Sequence, residues 1–213
     1  WTVEDACGFI LDTFRMITVV DTISPVITGG NDDLVECDGL GNLNELNSWL
    51  INNGGASSTD ACNSGTGNVI WTNNYDGNGV PPLLDCNNDT TNVLNVVFTA
   101  ADACEHTVTS ESRFIIIDTT EPQILEFAKD TIVECDGIGS SNLTDLQSWL
   151  DNVGGAVAVD PCNATGPFVW TNDYDGLGIP ELTACNNDTT AILDVVFTAT
   201  DDCDNTIITN ARF

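Results

Sequence analysis

The chain states nearly the same sequence twice. VECDGLGNLNELNSWLINNGGA at 35–56 returns as VECDGIGSSNLTDLQSWLDNVGGA at 133–156, and CNNDTTNVLNVVFTAADAC at 86–104 returns as CNNDTTAILDVVFTATDDC at 185–203. Offsets of 98, 100, 99 and 99 residues carry Cys37, Cys62, Cys86 and Cys104 onto Cys135, Cys162, Cys185 and Cys203. A period near 100 residues is too long for a solenoid repeat and fits a tandem array of separate domains. Such arrays serve reach and mechanical continuity, and an enzyme seldom needs its core written out twice. The opening segment WTVEDACGFILDTFRMITVVDT at 1–22 matches FTAADACEHTVTSESRFIIIDT at 98–119. Residues 1–20 are therefore expected to be the closing strands of a preceding repeat. Repeats are expected at 21–117 and 118–213, so the chain reads as a window on a longer array.

Charge narrows the partners. Four Lys and Arg against 33 Asp and Glu give a net charge of −29. Nucleic acid is excluded as a natural partner, because phosphate binding needs a basic face, and docking on anionic lipid is disfavoured. An acidic chain can be disordered, but 42% hydrophobic residues, five Trp and repeated apolar runs point to folded domains with an acidic surface. Charge of one sign repels itself, so bound cations would stabilise the folded state. No stretch has the length of a membrane span, so no membrane insertion is expected in this segment, and residue 1 begins no signal peptide.

Four regularly placed cysteines per repeat indicate disulfides and an oxidising, extracytoplasmic compartment. A zinc site would bring close CxxC pairs together with His; there is no CxxC pair, and the sequence holds a single His. The ninth cysteine, Cys7, aligns with Cys104 and Cys203 and is expected to pair within the preceding repeat. Four cysteines allow three connectivities. A sandwich with its loops gathered at two poles favours Cys62–Cys104 and Cys162–Cys203 at one pole, which leaves Cys37–Cys86 and Cys135–Cys185 for the other.

Each repeat opens at a proline joint, Asp21-Thr-Ile-Ser-Pro25 and Asp118-Thr-Thr-Glu-Pro122, where pairing stops and the chain stiffens. A short strand ends at Val133-Glu-Cys135. One helix follows: Asn142 as cap, Asp145 in the first turn, and an apolar stripe of Leu143, Leu146, Trp149, Leu150 and Val153 that Gly154-Gly155 ends. Leu43, Leu46, Trp49 and Leu50 repeat the stripe, so both Trp are expected to anchor a core. The remaining segments, Phe168–Trp170, Ile192–Ala199 and Thr206–Phe213, are β-branched, aromatic and bounded by Gly, Asn, Asp and Pro. The expected fold is mainly β: tandem immunoglobulin-like antiparallel β-sandwiches, each with one short inserted helix.

DTTEP between repeats, ATDDCDN before the last strand and VECDG with its helix resemble the immunoglobulin-like (HYR-type) tandem repeats of Bacteroidota cell-surface adhesins, including gliding-motility adhesins and related flavobacterial repeat proteins. The resemblance covers essentially the whole chain. It implies export by the type IX secretion system, an outer-membrane-attached filament at the cell surface, and an adhesive or structural role. The glycine of the family pattern DxCGN is replaced at Ala103-Cys-Glu-His106 and Asp202-Cys-Asp-Asn205, which implies a different turn there. The family also implies O-glycosylation of Thr after Asp, with Thr22, Thr90, Thr119, Thr131 and Thr189 as candidates.

Nothing in the sequence selects a catalytic centre. The single His, His106, is replaced by Asn205 in the next repeat, which is poor support for a general base, and no nucleophile elbow or phosphate loop is present. Calcium is the sharper expectation. The incoming linker and two loops should meet at one pole, bringing Asp118, Asp160, Asp201, Asp202 and Asp204 together in one repeat and Asp21, Asp60 and Asp102 in the other. Calcium takes six to eight oxygens, which carboxylates on separate loops can supply. A weaker metal candidate is the run Asn172-Asp-Tyr-Asp-Gly, with Asp173 and Asp175, matched by Asp76; it lacks the distal Glu of a calcium loop. No organic cofactor is indicated. The reading is a disulfide-stapled, calcium-braced structural or adhesive segment of a secreted filament. Its partners are neighbouring repeats of the same chain, identical filaments, and a surface polysaccharide or solid surface. The alternative is an array of carbohydrate-binding modules, which would require Trp71 and Trp170 exposed on one face.

Overall fold

The computed structural model describes residues 1–62, 69–135, 142–162, 168–186 and 189–213. It is mainly β. After an exposed hairpin of β1 (Thr2–Glu4) and β2 (Ile10–Asp12), the first repeat runs β3 (Val26–Thr28), β4 (Asp33–Glu36), α1 (Leu43–Ile51), β5 (Ser57–Thr59), β6 (Ile70–Asn73), β7 (Pro82–Asn87), β8 (Thr90–Ala101) and β9 (Thr107–Ile117). The second runs β10 (Gln123–Glu126), α2 (Leu143–Asp151), β11 (Val157–Val159), β12 (Val169–Asn172), β13 (Glu181–Asn186), β14 (Thr189–Ala191), β15 (Asp194–Thr200) and β16 (Thr206–Arg212).

Strand order in the larger sheet of the first repeat is β4-β9-β8-β6, with β7 also on β8, while β3 and β5 pair apart. The second repeats this as β12-β15-β16, β10-β11 and a β13-β14 hairpin. Among the described residues, all pairings are antiparallel except one. β4 lies parallel along β9, with Leu34 opposite Ile115. The equivalent residues 131–134 form no strand, and Thr131 N–H donates to the Arg212 carbonyl at 2.9 Å.

Alternation along the central strands makes the core. Val96, Phe98 and Ala100 of β8 point inward, as do Val195, Phe197 and Ala199 of β15, and all six are essentially inaccessible. Each fully buried Phe contributes about 1.5–3 kcal/mol. The helix closes the cluster: Trp49 stands edge-on to Phe98 at 5.2 Å between ring centroids, and Trp149 stands edge-on to Phe197 at the same distance. Leu46 and Leu50 and their counterparts Leu146 and Leu150 complete the apolar face. Leu43 and Leu143, expected on that stripe, are instead exposed, because the helix begins with them and its first turn stands clear of the sheet.

Asn142 does not cap as expected. Its backbone is left-handed (φ 62°), no side-chain cap bond forms, and its amide donates back to the Glu134 carbonyl (2.9 Å). Asn42 does the same with Glu36 (2.8 Å), tying the helix start to the preceding strand. The glycine pair falls just after the helix. Gly54 has φ 63°, and a Cβ there would sit 2.7 Å from the Phe98 ring, so both conformation and packing require glycine. Trp71 and Trp170 are half-buried and pack against the two cores, so they do not form an exposed aromatic face.

The joint between the repeats

Every D-x-C in the described residues makes the same local turn. The Asp carboxylate accepts the N–H of the cysteine two residues on: Asp60 to Cys62 at 2.8 Å, Asp160 to Cys162 at 2.6 Å, Asp102 to Cys104 and Asp201 to Cys203 at 2.8 Å, and Asp5 to Cys7 at 2.8 Å. This is an Asx turn, which satisfies a backbone donor locally and fixes where the cysteine points. In the closing-strand version the same oxygen takes a second N–H, from His106, Asn205 or Phe9. The residue after the cysteine then has positive φ: Gly8 86°, Glu105 68°, Asp204 67°. The turn expected to differ without its glycine is therefore preserved, with Glu105 and Asp204 held in a region that L-residues disfavour. His106 donates or accepts at Asp102 through Nδ1 (2.9 Å), as Asn205 Nδ2 donates to Asp201 (3.0 Å). The lone His is thus the counterpart of a loop-bracing Asn.

These turns meet the neighbouring repeat. Cys37, after β4, is bonded to Cys162, and Cys86, at the end of β7, is bonded to Cys203, with Cα atoms 5.7 and 5.1 Å apart. Both separations are within the normal disulfide range. The expected pairings within a repeat are thereby corrected: Cys37–Cys86 and Cys162–Cys203 are replaced by bridges between repeats, and Cys62 and Cys104 do not bond each other. The side chain of Cys185, in the expected Cys135–Cys185 pair, lies outside the described residues. Regular spacing reads the same whether a cysteine pairs at home or one repeat away, which is why the sequence favoured the wrong choice.

Polar contacts complete the joint. Glu36 accepts the Thr119 N–H (2.8 Å), the Thr119 hydroxyl (2.9 Å) and the Thr120 hydroxyl (2.8 Å). Although burial works the other way, these donors hold the Glu36 carboxyl below its ordinary value. Asn205 Nδ2 also donates to the Asp118 carbonyl at 3.2 Å. A Cβ on Gly39 would stand 2.7 Å from Pro161 Cβ, so the two repeats approach too closely there for a side chain. Pro25 and Pro122, the linker prolines, are buried. Glu36, Gly39 and Pro161 were not singled out in the sequence, and Asn205 was noted only as the counterpart of His106. The available signal was the recurrence of Glu before the strand cysteine, at Glu36 and Glu134.

The acidic residues converge in part. Ligand atoms of Asp118, Asp160 and Cys162 lie within 4.8 Å of one another, as do those of Asp21, Asp60 and Cys62, and those of Asp21, Asp102 and His106. Asp118 and Asp201 are buried, at 1% and 5% exposure. Burial pushes the Asp118 carboxyl up to about 6, and the negative charges of Asp160, Asp201 and Glu36 push the same way against the Thr120 N–H that donates to it. Asp60 Oδ2 and Asp160 Oδ2 are buried without a hydrogen-bond partner. Asp201 commits its oxygens to the Cys203 and Asn205 donors, while Asp202 and Asp204 are exposed on the turn. At the open pole, a hydrogen bond to Asp21 and the nearby negative charges hold the Cys62 thiol above its ordinary value.

The weaker metal candidates are turn residues. Asp76 accepts the Asn78 N–H (3.0 Å) and side-chain amide (2.8 Å), Asp175 accepts the Leu177 N–H (2.8 Å), and Asp173 reaches across to the Val196 N–H (2.9 Å). Among the threonine candidates, Thr22 is exposed, Thr90 and Thr131 are half-buried, and the side chain of Thr189 lies outside the described residues. Thr119 has its hydroxyl engaged by Glu36.

No family model matches the chain, and no curated protein matches it. Among solved structures, the chain is similar to the crystal structure of Drosophila N-cadherin EC1-4, at 12% identity and a TM-score of 0.31 over 74% of this chain. The match spans 42% of that chain. No helix among the described residues is long and apolar enough to cross a membrane, which leaves β-barrels untouched.

Proposed function

We propose that this chain is a non-enzymatic structural or adhesive segment of a secreted, cell-surface filament, in which repeats stack end to end. The observation that carries this reading is the doubly bridged joint, Cys37–Cys162 with Cys86–Cys203. Two covalent links between successive repeats resist separation and rotation, which a stalk under load requires and a soluble catalyst does not. Disulfides persist in extracytoplasmic compartments. The resemblance to Bacteroidota adhesin repeats supports surface attachment, type IX export, and a polysaccharide or solid surface as the contact.

Calcium braces the joint in this reading. The donor set is hard carboxylate oxygen, and Asp160 Oδ2 is buried with no partner, which suits a hard cation. Asp118 and Asp160 would hold it, with Asp201 beside them, and Asp21, Asp60 and Asp102 would do so at the other pole. When bound, calcium neutralises the mutual repulsion of these carboxylates. The half-buried Trp71 and Trp170 weigh against an array of carbohydrate-binding modules.

The test is immunogold electron microscopy of intact source cells, using antibody raised against this chain. Label on filaments outside the cell is expected. Label that appears only after lysis would overturn the reading.

A further inference from the structure

We propose that the cleft between α1 and β4 of the first repeat binds a sugar residue that carries a free amino group. The proposal rests on the reading of this chain as a segment that contacts a surface polysaccharide, and it names the sugar class and the site.

The cleft has a volume of about 420 Å³, within the range of small-molecule sites. One wall is β4, where Asp33 and Val35 are half-buried. The other is α1, where Glu45 and Ser48 are exposed. Trp49 also lines the cleft, although it is only 7% exposed and packs in the core. Its indole Nε1 is buried without a hydrogen-bond partner. The counterpart in the second repeat, Trp149 Nε1, donates to the Lys129 carbonyl at 3.1 Å. Lys129 corresponds to Asn31, because each donates its N–H to the second-glycine carbonyl after the helix, Gly154 or Gly54, at 3.0 Å. Asn31 lies two residues before Asp33, so the unused donor lies on the β4 side of the helix. A buried donor without a partner is costly, and a ligand oxygen seated in the cleft would satisfy it.

The remaining wall groups select a ligand rich in donors. Asp33 and Glu45 are acceptors when ionised, and among the described residues neither pairs with a basic side chain. The Ser48 hydroxyl spends its proton on the Asn44 carbonyl at 2.8 Å and keeps its lone pairs. The amides of Asn44 and Asn52 can donate or accept, as sugar hydroxyls can. An ammonium group offers three donors and the charge that two carboxylates favour, whereas an anionic sugar is repelled.

The site belongs to one repeat and is not an array. Residues 131–134 form no strand, Thr131 stands where Asp33 stands, and the Lys129 carbonyl already satisfies Trp149. A difference of this kind between two nearly identical repeats marks a site added to the fold and not required by it.

The test is titration calorimetry of the full chain, at physiological salt to screen non-specific attraction. The probes are a glucosamine trisaccharide, its N-acetylated form, a glucose trisaccharide and putrescine. One-to-one binding of the glucosamine trisaccharide is expected, with the other three weaker by about tenfold or more. D33T, which copies the second repeat, and E45Q should each weaken that binding about tenfold. D145N, at the position of Glu45 in the second repeat, should leave it unchanged. An unaltered unfolding temperature shows that each variant is folded. Absence of binding, equal binding of any of the other three probes, or full binding by D33T would each overturn the proposal. Immunogold label on external filaments would then still support the filament reading, and label found only after lysis would leave a measured sugar site in place, so the two can fail separately.

Discussion

The two acidic poles of the molecule share one design in two environments. Asp118, Asp160 and Asp201 lie at the joint, under the preceding repeat. Asp21, Asp60 and Asp102 occupy the same positions where no bridge is made. The Asx turns are the same, and each pole keeps one orphaned carboxylate oxygen, on Asp160 and on Asp60. Asp118 is sealed from solvent, whereas Asp21 is half-buried, and Cys162 is buried where Cys62 is exposed. The arrangement of charges thus belongs to each repeat's own turns, and their desolvation belongs to the neighbour that covers them. Desolvation is what makes paired carboxylates costly, so the demand for a cation should be a property of the joint and not of the isolated repeat.

The strongest way to break this comparison is to open the covered pole. The variant C37S/C162S with C86S/C203S removes both bridges, each worth about 2–4 kcal/mol. A large fall in the denaturation midpoint is expected, with the repeats unfolding in separate steps. C62S/C104S should stay within about 0.5 kcal/mol of the parent. Equal effects would mean that the poles are energetically alike.

Metal should separate the poles next. Millimolar calcium is expected to raise the unfolding temperature relative to EDTA, by about 3 kcal/mol of stability at a hundredfold excess over Kd. D160N should remove most of that gain and D60N much less. A calcium response that survives D160N would move the site elsewhere.

In EDTA, pH should tell the same story. The Asp118 carboxyl lies at about 6 in the folded chain against an ordinary 3.8, so its contribution is fully present below about pH 4 and lost as pH rises through 6. Two units correspond to about 3 kcal/mol. Glu36 has the opposite sign: its value is lowered, so its contribution is present above the ordinary 4.5 and lost below it. Between about pH 5 and 6 stability should therefore fall, and D118N should flatten that slope in urea titrations. The smallest effect concerns the turns: E105G and D204G should each stabilise by about 1 kcal/mol, by relieving a left-handed backbone. No gain in thermal unfolding would show that the carboxylates there hold some other contact.

The parts legible in the sequence were those governed by periodicity. Leu46, Trp49 and Leu50 announced the inserted helix, and the alternation in Val96, Phe98 and Ala100 announced the central strand, because burial selects apolar residues at fixed spacing. Among the described residues, Asp118 and Asp160, of the five acidic residues named at the joint pole, share a cluster. Asp201 is spent on its own turn, and Asp202 and Asp204 flank a left-handed position that faces outward. The cysteine pairing was illegible for a different reason. It depends on how one repeat seats on the next, and no local propensity encodes that. The parallel contact of β4 on β9 was also missed, since an edge strand of four residues looks alike in either direction.

The bridges also redraw the path that tension takes through the chain. Cys37 and Cys162 are 125 residues apart in sequence, and everything between them lies inside a covalent loop. Pulling on the two ends would pass force across the sulfur atoms and leave both tryptophan-anchored helices, the linker and the central strands of the first repeat slack. Extended, that span would add ~400 Å. A molecule built this way cannot lengthen by unravelling there, and behaves under load as a cable of fixed contour length.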